Sequence, residues 1–206
     1  MVTPLPPSFY QRPTERVARD LLGCVLETTV GGVTCRAQIV ETEAYVGEHD
    51  AACHAAHGRT PRTEILYGPP GLAYVYFVYG MHWCMNAVTR REGLPGAVLI
   101  RAVEPLDGIE AMRARRGPAG ARDVDIANGP AKLCDAMGIT GRFNGASLMG
   151  PFVRILEGVR IPRKQILVTP RIGVADAADW PLRFLVADSQ WTSARAATAR
   201  FLRDRW

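Results

Sequence analysis

Hydrophobic and polar residues alternate in two neighbouring segments near the start of the chain. Residues 24–29 and 33–44 each follow a two-residue period, and Gly31 and Gly32 between them are typical of a tight hairpin turn. Alternation in the second segment predicts one face with Ile39, Glu41, Glu43 and Tyr45, and another with Val40, Thr42 and Ala44. We therefore expect a strand pair whose second strand carries two carboxylates on the same face as an aromatic ring.

Apolar runs farther along the chain predict the other strands, and segments with helical spacing predict short helices. Further strands are expected at 72–79, 83–88, 97–103, 153–155, 165–168 and 183–186, and helices at 13–22, 109–115, 130–137 and 192–203. Residues 79–82 are the expected tip of a hairpin, and Thr192 or Ser193 is the expected cap of the last helix. Because the strands follow one another without regular βαβ alternation, we expect an α+β fold. Its largely antiparallel, curved sheet should carry short peripheral helices and a protruding β-hairpin.

Neither a repeat nor a long linker divides the 206 residues, so we expect a single domain over 1–206. Residues 1–8 are expected to be flexible, and residues 192–206 to include a closing helix. The longest apolar runs fall well short of the ~18–20 residues that a membrane span needs. Five cysteines without CxxC spacing, and an N-terminus without a signal-peptide pattern, favour a cytoplasmic protein.

Composition is close to the average of soluble globular proteins, with an excess of basic residues. The 25 Lys and Arg residues outnumber the 20 Asp and Glu residues, which gives a net charge of +5. This excess permits a polyanionic partner but is equally compatible with ordinary solvated surfaces. Only Lys132 and Lys164 are lysines, so few side chains could act as Schiff-base nucleophiles.

An arginine in the middle of an apolar strand is the first candidate for chemistry. A buried, unpaired charge costs several kcal/mol, so Arg101 should face a carboxylate or a water-filled cleft. Glu43 and Glu41 are its best partners by strand position. Either the pair is a structural ion pair, or Arg101 holds a carboxylate ionised so that it can take a proton from water.

The loop at 49–57 contains the residue types of a zinc site, namely His49, Cys53, His54 and His57. A second pair of ligands is not evident in the sequence, because the other histidine, His82, lies at the predicted hairpin tip. A polar loop with one functional histidine is the alternative interpretation.

Tyrosines at 45, 74, 76 and 79 are dense enough to form a stacking surface, although strands also use tyrosine as a core filler. Tyr79 differs from the others because a large ring at a tight turn is exposed to solvent. Such a ring needs a partner, and one known use is as a wedge between stacked bases.

These segments together resemble the alkyladenine (3-methylpurine) DNA glycosylase family. The likeness runs in consistent order from Phe9 to Trp191, and includes the loop around His54. Its blocks are VETEAY at 40–45, TPR at 60–62, YVYFVYGMHWCMN at 74–86, VLIRAVEP at 98–105, GPAKLC at 129–134, PRIGV at 170–174 and PLRF at 181–184. Several co-linear blocks are more specific than one short motif.

The resemblance implies a role for each matching residue. A glycosylase cannot reach a base inside the duplex, so the damaged nucleotide is flipped into a pocket and its place is filled. The implied base pocket consists of Tyr45 on one side of the purine, Tyr76 and His54 on the other, Asn86 against a guanine amino group, and Val174. The implied DNA contacts are Tyr79 as the plug, Met81 beside the opposite strand, and Arg59, Arg62 and Lys132 at phosphates.

Glu43 matches the general base of the family, and with Arg101 and the backbone near Val174 it would hold a water molecule against the sugar. The resemblance implies no metal and no cofactor. It also implies a monomer that acts on double-stranded DNA with damaged purines, near the nucleoid in a prokaryote. Two rivals stay open: a non-catalytic lesion-binding protein that uses the same aromatic pocket, and a zinc-dependent deaminase that uses the 49–57 loop.

Overall fold

One antiparallel sheet of eight strands forms the centre of the molecule. The computed structural model describes residues 3–203. Its strands are β1 (Val25–Val30), β2 (Val33–Tyr45), β3 (Ala73–Val78), β4 (His82–Val88), β5 (Ala97–Asp107), β6 (Val153–Leu156), β7 (Ile166–Thr169) and β8 (Arg183–Val186). Six of them lie in the order β3-β4-β5-β2-β1-β6, and β8 joins β2 to β7. The expected α+β fold, a single domain with an antiparallel sheet, is confirmed.

Short helices pack around this sheet. Those in residues 3–203 are α1 (Pro7–Tyr10), α2 (Thr14–Asp20), α3 (Ile109–Arg116), α4 (Pro130–Met137) and α5 (Arg195–Arg203). Helix α4 begins at a proline, whose fixed φ suits a first helical turn, and ends before Gly138 at φ +69°. Its residue Leu133 and the α2 residues Val17 and Ala18 are fully buried in the main core. None of the helices in the described range is long and apolar enough to cross a membrane.

Strand β2 has the register that positions the candidate site. It has 13 residues and pairs with β5 on one side, and with β1 and then β8 on the other. The pairing with β5 shifts between Ile39 and Glu41, so Val40 has no opposite residue there. Ile39 consequently packs in the same core cluster as Ala44. Simple alternation, which predicts Ile39 on the face of Glu41 and Glu43, is therefore wrong on the N-terminal side of this shift.

Segments outside the strands cover both outer edges of the six-strand path. At β3, Asn144 Oδ1 accepts the N–H of Val75 at 3.0 Å, and Ala73 donates to the carbonyl of Ala146 at 2.8 Å. At β6, Leu5 donates its N–H to the carbonyl of Ile155 at 2.9 Å. Part of the backbone that a sheet edge normally exposes is therefore paired on each of these two strands.

The two ends of the described chain bear on the expected flexible start and closing helix. Leu5 is buried against β6, whereas Pro6, Pro7 and Ser8 are exposed, and residues 1 and 2 lie outside the described range. The last helix begins at Arg195, three residues later than expected, and the hydroxyls of Thr192 and Ser193 donate instead to the carbonyl of Ser189 and to Glu41. The part of the expected helix at 204–206 also lies outside the described residues.

Candidate active site

A buried cluster of two carboxylates and a guanidinium lies where β2 pairs with β5. Arg101 Nη1 lies 3.2 Å from Glu43 Oε2, and Arg101 Nε lies 3.3 Å from Glu41 Oε1. Burial acts to lower the pKa of Arg101, but the charges of Glu43 and Glu41 outweigh it and the pKa is raised. The expected contact between Arg101 and a carboxylate is thus present, and both candidate partners make it.

Both oxygens of Glu43 accept hydrogen bonds. The backbone N–H of Ile172 donates to Oε1 at 2.8 Å, and the Tyr45 hydroxyl donates to Oε2 at 2.9 Å. Burial, followed by the negative charge of Glu43, raises the pKa of Tyr45 well above its usual value, so the hydroxyl remains a neutral donor. These donors fix the carboxylate in one orientation.

A pocket of about 210 Å³ lies beside the cluster. Its wall includes all the residues that the resemblance assigns to the base pocket, which are Tyr45, His54, Tyr76, Asn86 and Val174. Glu43 and Arg101 are not part of this wall. Because Tyr45 lines the pocket and also bonds to Glu43, its side chain lies between the pocket and the carboxylate. A larger cleft of about 640 Å³ beside Cys24 contains none of these residues.

A histidine and two tyrosines form one wall of the pocket. The centre of the His54 ring lies 4.6 Å from that of Tyr76, and His54 Nδ1 lies 2.8 Å from the Tyr74 hydroxyl. Burial, together with the nearby charge of Arg62, lowers the pKa of His54, so this imidazole is neutral at pH 7. Asn86 Nδ2 donates to the carbonyl of Tyr74 at 3.2 Å, which fixes the amide at the pocket wall.

A second buried ion pair, which the sequence analysis missed, supports the ring of Tyr45. Arg171 donates to both oxygens of Asp50, at 2.6 and 2.8 Å, and neither side chain is exposed. Its guanidinium lies 4.8 Å from the centre of the Tyr45 ring. The two partners are 121 positions apart, so no local pattern could have linked them.

Glu41 has a further partner that the sequence analysis also missed. Arg183 Nε donates to Glu41 Oε1 at 2.6 Å, and both side chains are buried. Arg183 lies in a short apolar strand, which is the same signal that singled out Arg101. Applied to β8, that signal would have found it.

The β3–β4 hairpin ends in exposed apolar side chains. Tyr79 is 82% exposed and Met81 is 68% exposed, so both rank among the most accessible hydrophobic residues. Tyr79 has φ +53°, a backbone conformation that is costly for residues other than glycine. Tyr79 is also among the residues that line the pocket.

The basic residues expected at phosphates lie in different surroundings. Arg62 lines the pocket, with its guanidinium 5.4 Å from the centre of the Tyr76 ring. Arg59 is exposed, and its guanidinium lies 4.6 Å from the centre of the Tyr67 ring. Lys132 Nζ lies 2.7 Å from Asn128 Oδ1 near the start of α4.

The cysteine and histidines of the 49–57 loop do not converge. His49 lies 6.4 Å from the Trp180 ring, whereas His54 faces the pocket tyrosines. Within residues 3–203, no three His, Cys, Asp or Glu side chains are placed to hold a metal ion. The Cys and His side chains of the 49–57 loop therefore do not form a set of zinc ligands within the described residues.

Comparison with known proteins gives the family. Residues 8–190 match the family model of Methylpurine-DNA glycosylase (MPG). A Myxococcus xanthus protein named "Putative 3-methyladenine DNA glycosylase" is 48% identical over 192 residues, which cover 92% of this chain and 93% of that protein. Proteins of the same name from Methanocella arvoryzae and Chlorobaculum parvum are 47% and 45% identical, over 93% and 90% of this chain and 96% and 88% of their own lengths. The chain therefore belongs to the methylpurine-DNA glycosylase family and is a DNA glycosylase, a hydrolase of N-glycosyl bonds.

Proposed function

We propose that this DNA glycosylase excises alkylated and deaminated purines from double-stranded DNA by base flipping and attack of water, leaving an abasic site for base excision repair. Its substrates would be lesions of the 3-methyladenine, hypoxanthine and ethenoadenine type. The observation that carries the proposal is a pocket walled by Tyr45, His54 and Tyr76, in which the Tyr45 hydroxyl donates to Glu43 of the buried Glu43–Arg101 pair. The protein acts as a monomer without a cofactor, in the cytoplasm or at the nucleoid.

Base flipping explains the exposed hairpin tip. A base inside the duplex is out of reach, so the damaged nucleotide is rotated into the pocket and the vacancy is filled by a side chain. Tyr79 is the plug, because its ring is 82% exposed and also borders the pocket. Met81, on the same tip, lies against the opposite strand.

The pocket selects electron-poor purines. Tyrosine faces attract cationic or electron-poor rings, so an alkylated base stacks on Tyr45 on one side and on Tyr76 with His54 on the other. The backbone N–H of His54 reads the edge of the base. Asn86, held by its bond to Tyr74, disfavours the extra amino group of guanine.

Glu43 acts as the general base. The glycosidic bond breaks with its electron pair moving to the departing base, which leaves as a neutral purine because it is already cationic by alkylation or protonation. The sugar becomes oxocarbenium-like. Water forms the new bond to the sugar carbon and its proton passes to Glu43, while Arg101 holds the carboxylate in place. Entry of the nucleotide displaces the Tyr45 hydroxyl from Glu43 Oε2, so that water takes that position beside the backbone near Val174.

Contacts with the phosphates orient the protein without reading sequence. Arg59, Arg62 and Lys132 supply these contacts. The net charge of +5 favours association with a polyanion in general.

A non-catalytic lesion-binding protein is the second candidate, and the complete burial of Glu43 favours it. In that case the Glu43–Arg101 pair is a structural ion pair, and the tyrosines only stack on the lesion. The two candidates differ in a single measurable property, the release of free base.

Single-turnover release of base from a duplex with one hypoxanthine or ethenoadenine tests the proposal. Glu43→Gln keeps the size of the side chain but removes the proton acceptor, so we expect the rate to fall ~10²-fold or more. Binding of the lesion duplex should persist. Glu110→Gln is the matched control, because its side chain is 90% exposed on α3.

Equal rates for the wild type and Glu43→Gln would reject the role of Glu43. Tight binding of the lesion without release of base from any of the candidate lesions would establish the second candidate instead.

A further inference from the structure

The first residues beyond the family-matched range reach back into the buried cluster. Ser193 donates its backbone N–H to Glu41 Oε2 at 2.5 Å and its hydroxyl to Glu41 Oε1 at 2.9 Å. The same hydroxyl oxygen accepts a hydrogen bond from Arg101 Nε at 3.3 Å. A single hydroxyl therefore bridges the second carboxylate and the guanidinium that contacts Glu43.

Arg183 donates to the same Glu41 oxygen as the Ser193 hydroxyl and joins Glu41 to the last helix. Its Nε donates to Glu41 Oε1, its Nη1 donates to Thr198 Oγ1 of α5 at 3.0 Å, and its Nη2 donates to the carbonyl of Ser193 at 3.1 Å. Ser193 is 5% exposed and Thr198 is 9% exposed. The C-terminal segment is thus fixed to the cluster by bonds shielded from water.

The cluster places two carboxylates and two guanidiniums together in the interior. Electrostatic interactions are stronger there than in water, so the orientation of each charged group depends closely on its hydrogen-bond partners. Glu41 and Ser193 engage the Nε edge of Arg101, and Glu43 engages Nη1. The partners at Nε consequently determine where Nη1 points.

We infer that Ser193 is a positioning residue for base release, and that segment 192–198 orients Arg101 toward Glu43. This inference rests on the proposed function, because that function gives Arg101 and Glu43 their parts in the reaction. Ser193 itself is not required to touch the DNA.

Three variants test the inference on the hypoxanthine duplex. Ser193→Ala removes the bridging hydroxyl and Ser193→Thr keeps a hydroxyl. Ser189→Ala removes a nearby hydroxyl outside segment 192–198, which accepts the N–H of Trp191 at 3.2 Å. We measure the single-turnover rate at saturating enzyme and the enzyme concentration that gives half of that rate. The assays run well below the thermal unfolding midpoint of the least stable variant.

Ser193→Ala should lower the saturating rate about tenfold, part of the ~10²-fold that a small misplacement of reacting groups can cost. The half-saturating concentration should stay within about twofold, because positioning affects chemistry rather than binding. Ser193→Thr should recover most of the rate, and Ser189→Ala should match the wild type. A purely structural role would lower the unfolding midpoint without this split.

Equal saturating rates for Ser193→Ala and Ser189→Ala, with an active wild type and an inactive Glu43→Gln, would overturn the inference and leave the proposed function intact. Failure of Ser193→Thr to recover the rate, in a variant whose unfolding midpoint equals that of the wild type, would also overturn the inference. An inactive wild type would reject the proposed function and the inference together.

Discussion

Tyr45 combines two interactions in a single side chain. Its hydroxyl donates to Glu43, and its ring lines the pocket while the guanidinium of Arg171 lies 4.8 Å from the ring centre. Arg171 is in turn held by both oxygens of Asp50. The orientation of the Tyr45 ring therefore depends on an ion pair whose residues do not line the pocket.

Asp50→Asn should destabilise the whole protein strongly. The substitution leaves the guanidinium of Arg171 buried without its counter-charge, and breaking a buried pair in this way costs ~3–5 kcal/mol. Denaturant unfolding measures the difference. Asp107→Asn is the control, because Asp107 is 60% exposed in a surface pair with Arg36 and should lose less than about 1 kcal/mol. Equal losses would contradict a special role for the buried pair.

The Asp50–Arg171 pair should make the free energy of unfolding depend on pH. Burial acts to raise the pKa of Asp50, but the bonds from Arg171 and from the backbone N–H of Val46 outweigh it and lower the pKa from 3.8. A carboxylate with a lowered pKa in the folded state contributes stability that is complete at neutral pH and lost as the pH falls through that pKa. The difference in the free energy of unfolding between the wild type and Asp50→Asn should therefore become smaller below about pH 4. Urea titrations from pH 7 to pH 3 measure this difference. A difference that does not change with pH would contradict a lowered pKa of Asp50 in the folded state.

Single residues differed in how far the sequence could reveal them. Arg101 was predictable because a charge in an apolar strand must find a partner, and Arg183 gave the same signal. Asp50 and Arg171 gave none, because an aspartate in a loop and a distant arginine look like ordinary surface residues. The Tyr45 side chain between the pocket and Glu43 depends on three-dimensional packing, which no periodicity encodes.

At the scale of elements, the tip of the β3–β4 hairpin contains backbone strain. Tyr79 adopts φ +53°, where a side chain costs ~1–2 kcal/mol relative to glycine. Glycine is therefore the substitution that removes the ring without adding backbone strain.

Tyr79→Gly should weaken binding to a lesion duplex about tenfold, within the ~1–3 kcal/mol of a base–aromatic stack. The free energy of unfolding should be unchanged or slightly higher, because the strained φ is relieved. Fluorescence anisotropy and thermal melting measure the two quantities. Leu106→Ala removes another exposed apolar side chain, 46% accessible at the end of β5, and should leave DNA affinity unchanged. An unaltered affinity for Tyr79→Gly would remove the plug from the mechanism.

The strands and helices were largely predictable, since alternation and turn residues fix them locally. Helix α4 was predicted at its observed bounds, as was β8. The irregularity at Val40 was not predictable, because a bulge is set by pairing with β5 and not by the sequence of β2 alone. The last helix was predicted three residues too early because the capping argument could not anticipate that Ser193 bonds to Glu41.

At the scale of the whole molecule, the charge excess should make DNA binding sensitive to salt. Each phosphate contact releases condensed counterions, so the logarithm of affinity falls linearly with the logarithm of salt concentration. The chain's two lysines offer a matched comparison. Lys132→Ala should weaken binding and reduce the slope by ~1, whereas Lys164→Ala should leave the slope unchanged. Titrations at several salt concentrations measure both slopes, and identical slopes would remove Lys132 from the DNA contacts.

The partly covered sheet edges affect how copies of the protein on the same DNA molecule can contact each other. Many copies that search one DNA molecule meet each other often, and each copy exposes apolar residues at its hairpin tip. Unpaired strands beside such a tip would invite chain-to-chain pairing. Because Asn144 and Ala146 bond to the edge at the base of the hairpin, and Leu5 bonds to the far edge, these stretches of backbone are closed to a neighbouring copy. The exposed apolar tip therefore adjoins a strand whose start is already paired within the same chain.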